Sequence, residues 1–260
     1  MGLNKPIVVQ YAEWAGGLLR GDAGVSMRTG IPVSDSIAQS MPVTMQLGIM
    51  AIFFACLFAI PLGVLSAVRR NGVSDLFTRL IGLVGLSFPA FWLATMFLLI
   101  SSTVFRWVPP LRWVSPFDDF GRNMQIMIVP AILLALQPMA IIMRMTRASM
   151  LEVLRQDYIR TAYAKGLRER FVLARHALQN AFIPVLTVIG VQFGALLGGS
   201  VIIEQIFSLP GLAFFLLSGI YNRDYPVVQS TVLFLSFLFI LVNLAVDILY
   251  GYVDPRIRHA

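Results

Sequence analysis

The sequence predicts an all-α, polytopic helical membrane protein, and two observations carry that expectation. Hydrophobic residues fill 58% of the 260 positions and charged residues only 13%. A soluble globular domain carries about 25% charged residues, so most of this surface has to meet lipid. Five uncharged stretches, lying within 36–68, 80–105, 123–143, 177–203 and 225–246, are also long enough to span. A hydrocarbon core of about 30 Å takes about 20 helical residues.

Taken in order, residues 1–40 read as an extracytoplasmic N-terminal segment, 41–250 as the membrane domain and 251–260 as a cytoplasmic tail. Met1 to Asp35 is polar and partly amphipathic. It lacks the apolar core of a signal peptide, because Lys5, Glu13, Arg20 and Asp22 interrupt it. The connections 69–79, 144–176 and 251–260 hold 13 of the 20 Lys and Arg, which places them in the cytoplasm by the positive-inside rule. The same clustering between apolar runs explains the net charge of +7 as a topology signal and argues against a nucleic-acid surface.

A sixth uncharged stretch, 205–222, opens with Ser208-Leu209-Pro210-Gly211 and leaves a short apolar run from Leu212 to Ile220. It reads as a re-entrant or interfacial helix. Five spans with a cytoplasmic C-terminus put the N-terminus outside. Nothing in residues 1–35 looks able to export itself, so a preceding span is expected outside this sequence. Phe105, Trp107 and Trp113 suit an aromatic belt at the outer end of the second span. Pro61, Pro89, Pro130, Pro138 and Pro184 are candidate kinks. The single cysteine, Cys56, sits in an apolar run as a small buried residue.

The longest polar stretch between spans runs from Met143 to Asn180 and has helix-forming composition. Asp157 suits a helix start and Gly166 a left-handed C-terminal cap. Tyr158, Ala162 and Lys165 fall on one side of such a helix, with Ile159 and Tyr163 beside it, a face that fits a partner's groove. A solvated basic loop is the plainer alternative.

These residues resemble the permease subunits of binding-protein-dependent ABC importers, in the dipeptide/oligopeptide/nickel class. The resemblance rests on Gly21-Asp22 with Arg28-Thr29-Gly30, on Asp157-Tyr158-Ile159-Arg160-Thr161-Ala162 through Ala164-Lys165-Gly166-Leu167, and on Arg175-His176-Ala177-Leu178 to Asn180-Ala181-Phe182-Ile183-Pro184. It continues with Glu204 and Phe207-Ser208-Leu209-Pro210-Gly211-Leu212, with Arg223-Asp224-Tyr225-Pro226-Val227-Val228-Gln229, and with Asp254-Pro255-Arg256-Ile257-Arg258. It implies the type I ABC importer transmembrane-domain fold, short of its usual first span. It also implies a cytoplasmic coupling loop within 148–180 that grips an ATPase through Asp157, Tyr158, Thr161, Ala162, Tyr163, Ala164, Lys165, Gly166 and Leu167. The general Glu-Ala-Ala pattern of that loop is here Arg160-Thr161-Ala162, a departure that resembles the peptide class.

The implied partners are a second homologous permease, two ABC ATPase subunits and an extracytoplasmic solute-binding protein, in the cytoplasmic membrane of a bacterium or archaeon. No Gly-x-x-x-x-Gly-Lys-Ser/Thr loop occurs, so ATP and Mg belong to the partner subunits, and this chain is expected to be a pore subunit and not an enzyme. The histidines, His176 and His259, have no cysteine or carboxylate at metal-ligand spacing, so no metal site is expected.

Two carboxylates near the membrane are functional candidates because burying them is expensive. Glu204 suits either an outer gate or a structural tether, with Arg223 as a candidate ionic partner. Asp247 suits a local hydrogen bond or an ion pair with a coupling-segment arginine. Gln192, Gly194, Gly198, Gly199 and Ser200 form a small, weakly polar stripe that serves close helix packing or lines the pathway. Gln192, Ser200 and Glu204 are the candidate pathway or gate residues. An ion-gradient-driven secondary transporter is the alternative function, but midplane carboxylates and internal repeats are not evident. The solute itself is not legible beyond the class, which spans dipeptides, oligopeptides, nickel chelates and glutathione.

Overall fold

The computed structural model describes residues 6–110 and 112–253, with the side chains of 247 and 249–253 outside that description. The side chain of Asp247 and the basic tail from Asp254 to Arg258 therefore lie outside the described residues. Among those described, the only β pairing is an isolated bridge between Val25 and Pro32.

An exposed N-terminal helix, α1 (Ile7–Leu19), precedes the long helix α2 (Val33–Val68). At 1.5 Å per residue, a 36-residue helix is roughly 54 Å long, so α2 reaches well beyond a hydrocarbon core. Val43, Leu47, Ala51, Ala55, Ala59, Gly63 and Ala67 recur every fourth residue and are all buried, forming one stripe along α2. Against it lies α5 (Phe120–Val153), started by Asp119, whose side chain accepts from the Arg122 amide at 2.9 Å. Contact is closest at Gly63, where an added Cβ would lie 2.7 Å from Thr146 Cβ and 2.8 Å from the Met143 carbonyl oxygen. Small residues let helices approach in lipid, where dispersion takes the place of the hydrophobic effect.

The stretch expected as one span over 80–105 is instead two helices, α3 (Val73–Ser87) and α4 (Ala90–Thr103), bent by 93° at the break. Pro89 explains it, because a proline disfavours helical dihedrals at the residue before it. Phe88 is extended, with φ −102° and ψ 127°. The other three internal prolines anticipated in spans α2 and α5, Pro61, Pro130 and Pro138, sit inside unbroken helices.

Residues 144–153, anticipated as part of a separate cytoplasmic segment, continue α5 without a break. A turn at 154–156 leads to α6 (Asp157–Ala164), then to α7 (Glu169–Phe171). A π-helical stretch (Val172–Leu178) joins α7 to α8 (Gln179–Gly199), which contains Pro184. A short α9 (Val201–Ile206) follows. The chain then turns through Ser208, at φ +52°, into α10 (Leu212–Tyr221). Ten residues extend only about 15 Å, too short to cross. The last helix, α11 (Tyr225–Val253), packs on α8, where a Cβ at Gly190 would meet Val246 at 2.6 Å and one at Gly194 would meet Phe239 at 2.6 Å.

Candidate functional site

Helix α6 has two faces. Ile159 (1% exposed) and Ala162 (6%) point inward and pack with Ala67 of α2, Met150 of α5, and Val172, Ala177 and Ala181. Tyr158, Tyr163 and Leu167 are exposed at 43%, 42% and 37%, beside exposed Thr161, Ala164 and Lys165. The sequence placed Ala162 on the outward face with Tyr158. The structure turns it inward, because Ile159 is the residue that claims the core and Ala162 is its i+3 neighbour. The outward face is therefore built on the two tyrosines and Leu167.

The ends of α6 follow from local chemistry. Asp157 occupies the first turn, where a carboxylate complements the helix dipole. Its 3.5 Å ion pair with Arg160 is almost fully solvated and contributes little. At the other end the Gly166 amide donates to the Tyr163 carbonyl at 2.9 Å and the Leu167 amide to the Ala162 carbonyl at 3.4 Å. These are the two bonds of a Schellman cap, which needs a left-handed residue, and Gly166 has φ +76°. The Asn180 amide donates to the Tyr158 hydroxyl at 3.0 Å and to the His176 carbonyl at 2.8 Å, so the 157–167 and 175–184 segments of the resemblance are tied to each other. Partial burial, with the Glu169 carboxylate nearby, pushes the Tyr163 phenol up from its ordinary value.

At the opposite end, Glu204 is completely buried. One carboxylate oxygen accepts from Thr44 Oγ1 at 2.8 Å and Ser200 Oγ at 2.9 Å, and the other from the Phe214 amide at 2.9 Å. The Leu212 amide donates to Thr44 Oγ1 at 2.8 Å, and the Leu209 amide to the Glu204 carbonyl at 2.8 Å. Hydroxyls and amides, and not Arg223, therefore surround this carboxyl, which ties α2 and α9 to the turn before α10. Gly211 is required for that fit, since a Cβ there would sit 2.4 Å from the carboxyl carbon.

Ser200 thus has a defined partner, while Gln192 is half-buried on α8. The small stripe divides: Gly194 serves packing against α11, whereas Gly198 and Gly199 are exposed with nothing within 4 Å of an added Cβ.

Two sites were not anticipated. Asp224 is 4% exposed and accepts from Ser26 Oγ at 2.6 Å and from the Met27 amide at 3.3 Å, while Arg28 bonds Asn222 at the surface. Burial raises the Asp224 carboxyl, but the hydrogen bonds from Ser26 and nearby backbone amides outweigh it and hold the group below its ordinary value. The segments around 21–30 and 222–229 are accordingly joined into one cap. The second is Asp75, fully buried at the end of the bundle that carries α6. The i,i+4 spacing from Asp75 to Arg79 is the one sequence signal that hinted at it.

Comparison with known proteins matches residues 59–259 to the family described as binding-protein-dependent transport system inner membrane component. The chain is 43% identical over 279 residues to the dipeptide transport system permease protein DppB of Alkalihalophilus pseudofirmus, covering 100% of this chain and 84% of that one. To DppB of Escherichia coli K12 it is 44% identical over 282 residues, covering 100% and 83%. Among solved structures, an inward-facing form of the MetNI methionine ABC transporter superposes with a TM-score of 0.65 at 18% identity, over 84% of this chain and 96% of that chain. That likeness establishes the fold.

Proposed function

The chain belongs to the family of inner membrane components of binding-protein-dependent transport systems, and from that premise we propose that it forms half of the pore of a dipeptide or oligopeptide importer whose ATPase docks on α6. It is a multi-pass membrane permease and not an enzyme; ATP hydrolysis belongs to a separate subunit. The observation that carries the docking reading is the two-faced α6. Ile159 and Ala162 fasten it to the ends of α2 and α5, and Tyr158, Tyr163 and Leu167 are left outward as anchors for a partner's groove.

In this reading a second permease completes the pore, two ATPase subunits bind ATP and Mg, and an extracytoplasmic binding protein delivers the solute. Closure of the ATPases displaces α6, and the packed cluster beneath it carries the displacement into the spans. The peptide assignment draws on what the DppB relatives are named for. The host membrane is the cytoplasmic membrane of a bacterium or archaeon.

Co-purification tests the reading. The full-length protein pulls down its ATPase, and replacing 157–168 by a Gly/Ser linker abolishes the association. Uptake driven by a proton gradient with no ATPase present contradicts it. Measuring the ligand of the cognate binding protein then decides between peptide and another solute.

A further inference from the structure

Asp75 is a buried charge between three helices that the sequence treats as separate. Its carboxylate receives a two-pronged pairing from Arg147 of α5, Nε to Oδ1 at 2.8 Å and Nη2 to Oδ2 at 3.0 Å. Arg79 of α3 and Ser66 of α2 also donate to it, and the Asn71 amide adds a bond at 3.0 Å. Arg147 Nε also reaches Ser66 Oγ at 3.0 Å, which closes the network. Asn71 adopts φ +61° to turn the chain back over the end of α2.

The placement of this network matters. Arg147 lies one turn before Met150, which belongs to the same buried cluster as Ile159 and Ala162 of α6 and Ala67 of α2. The ends of α2 and α5 and the helix α6 thus share one packed cluster. The broken span α3–α4 lies outside that cluster; α3 packs on α2 and α5, with Gly82 close to Met143 and Gly85 close to the Leu136 carbonyl, and Ala94 of α4 belongs to the main core. Asp75 sits near the start of α3 and is bonded to both α2 and α5. Paired guanidinium–carboxylate bonds fix orientation as well as distance, so a displacement of α5 pulls α3 with it. A buried ion pair is also weak as a source of net stability, which leaves a positional role as the better account of a charge kept here.

We propose that Asp75 is a positioning residue for coupling, which carries displacement of the ATPase-docking helix into the broken span α3–α4. The inference rests on the reading of α6 as that docking helix.

The test uses the full-length protein in its complete complex, reconstituted in liposomes. Spin labels at Arg155, in the turn before α6, and at Ser102, on α4, are each paired with a reference label at Leu244 on α11. In the wild type, ATP shifts both distances. In Asp75→Asn the ATPase still co-purifies and the label at 155 still shifts, while the label at 102 does not. Stimulation of ATP hydrolysis by loaded binding protein falls at least about fivefold, the lower end of an allosteric coupling. Arg147→Lys, which keeps the charge but not the two-pronged geometry, shows the same separation of the two labels in smaller measure. It serves as the deciding variant where Asp75→Asn does not assemble.

Retained shifts at both labels with full stimulation overturn the proposal. So does loss of both shifts together, which makes the network a support of docking alone. A wild-type complex whose label at 155 does not respond to ATP sinks the docking reading itself.

Discussion

Replacing Gly166 by leucine separates two reasons for a glycine at the end of α6. An added Cβ meets nothing within 4 Å, so the substitution creates no clash. The cost is conformational. At φ +76° an ordinary L-residue has its Cβ against the carbonyl oxygen, a penalty of about 1–2 kcal/mol. A loss of that size lowers the ratio of capped to uncapped helix roughly 5- to 30-fold. Both cap bonds, Gly166 to Tyr163 and Leu167 to Ala162, are forfeited in the uncapped form, and Leu167 leaves the docking face. Asparagine tolerates the left-handed region and keeps most of the cap. In the assembled complex, substrate-stimulated ATP hydrolysis is therefore expected to fall severalfold in Gly166→Leu and to stay near wild type in Gly166→Asn. An unchanged leucine variant refutes this reasoning. An asparagine variant as damaged as leucine also refutes it, by showing that the bare backbone and not the dihedral is what the partner needs.

Other consequences are as specific. Gly63→Ala forces a Cβ into Thr146 and the Met143 carbonyl, so the thermal midpoint of the purified complex drops by the equivalent of about 1–3 kcal/mol; an unmoved midpoint contradicts the close α2–α5 approach. Glu204→Ala strips the acceptor from Thr44, Ser200 and the Phe214 amide, at about 1–3 kcal/mol for each group left buried and unsatisfied. A cysteine at Leu209, buried in the wild type, then reacts with a membrane-impermeant thiol reagent in a Cys56→Ser background, whereas continued protection argues against the pinned turn. Asp224 has its carboxyl held below the ordinary value of about 3.9 in the folded state, so the stability it contributes is present above that pH and is lost as pH falls through the folded value. Protection of the amides within 24–33, taken relative to the intrinsic exchange rate at each pH, is expected to hold from neutral pH to about 4 and to fall below it. Asp224→Asn exchanges faster throughout without the acid step, and an identical pH profile in the variant excludes the carboxylate as the cause.

The spans were legible because an uncharged apolar stretch of about 20 residues is stable in few settings besides lipid. The short helix after Pro210 was legible because proline and glycine leave too little chain to cross. The break at Phe88 was less so. Pro89 marked it, but prolines at 61, 130 and 138 look the same in sequence and leave their helices whole, since neighbouring helices decide which prolines become breaks.

Glu204 was found from the expense of burying a carboxylate. Its partners were not legible: Arg223 was the one candidate the sequence offered beside a gate role, while hydroxyls of Thr44 and Ser200 and an amide of α10 supply the bonds. The outward face of α6 was misjudged at Ala162 because an isolated eight-residue helix does not reveal which side its host claims. Asp75 lies in the connection 69–79, and apart from Arg79 four residues on, nothing near it in sequence points to burial. Its main partner, Arg147, stands 72 residues away, beyond the reach of any local pattern.

Site-directed photo-crosslinking bears most directly on the docking surface. A photoreactive side chain is placed in turn at Tyr158, Tyr163, Ile159 and, at the opposite end, Tyr221, in the full-length protein within its complex. Crosslinks to the ATPase are expected from 158 and 163, and none from buried 159 or from 221. Crosslinks to the ATPase from 221, or their absence at both 158 and 163 in an active complex, contradict α6 as the docking helix.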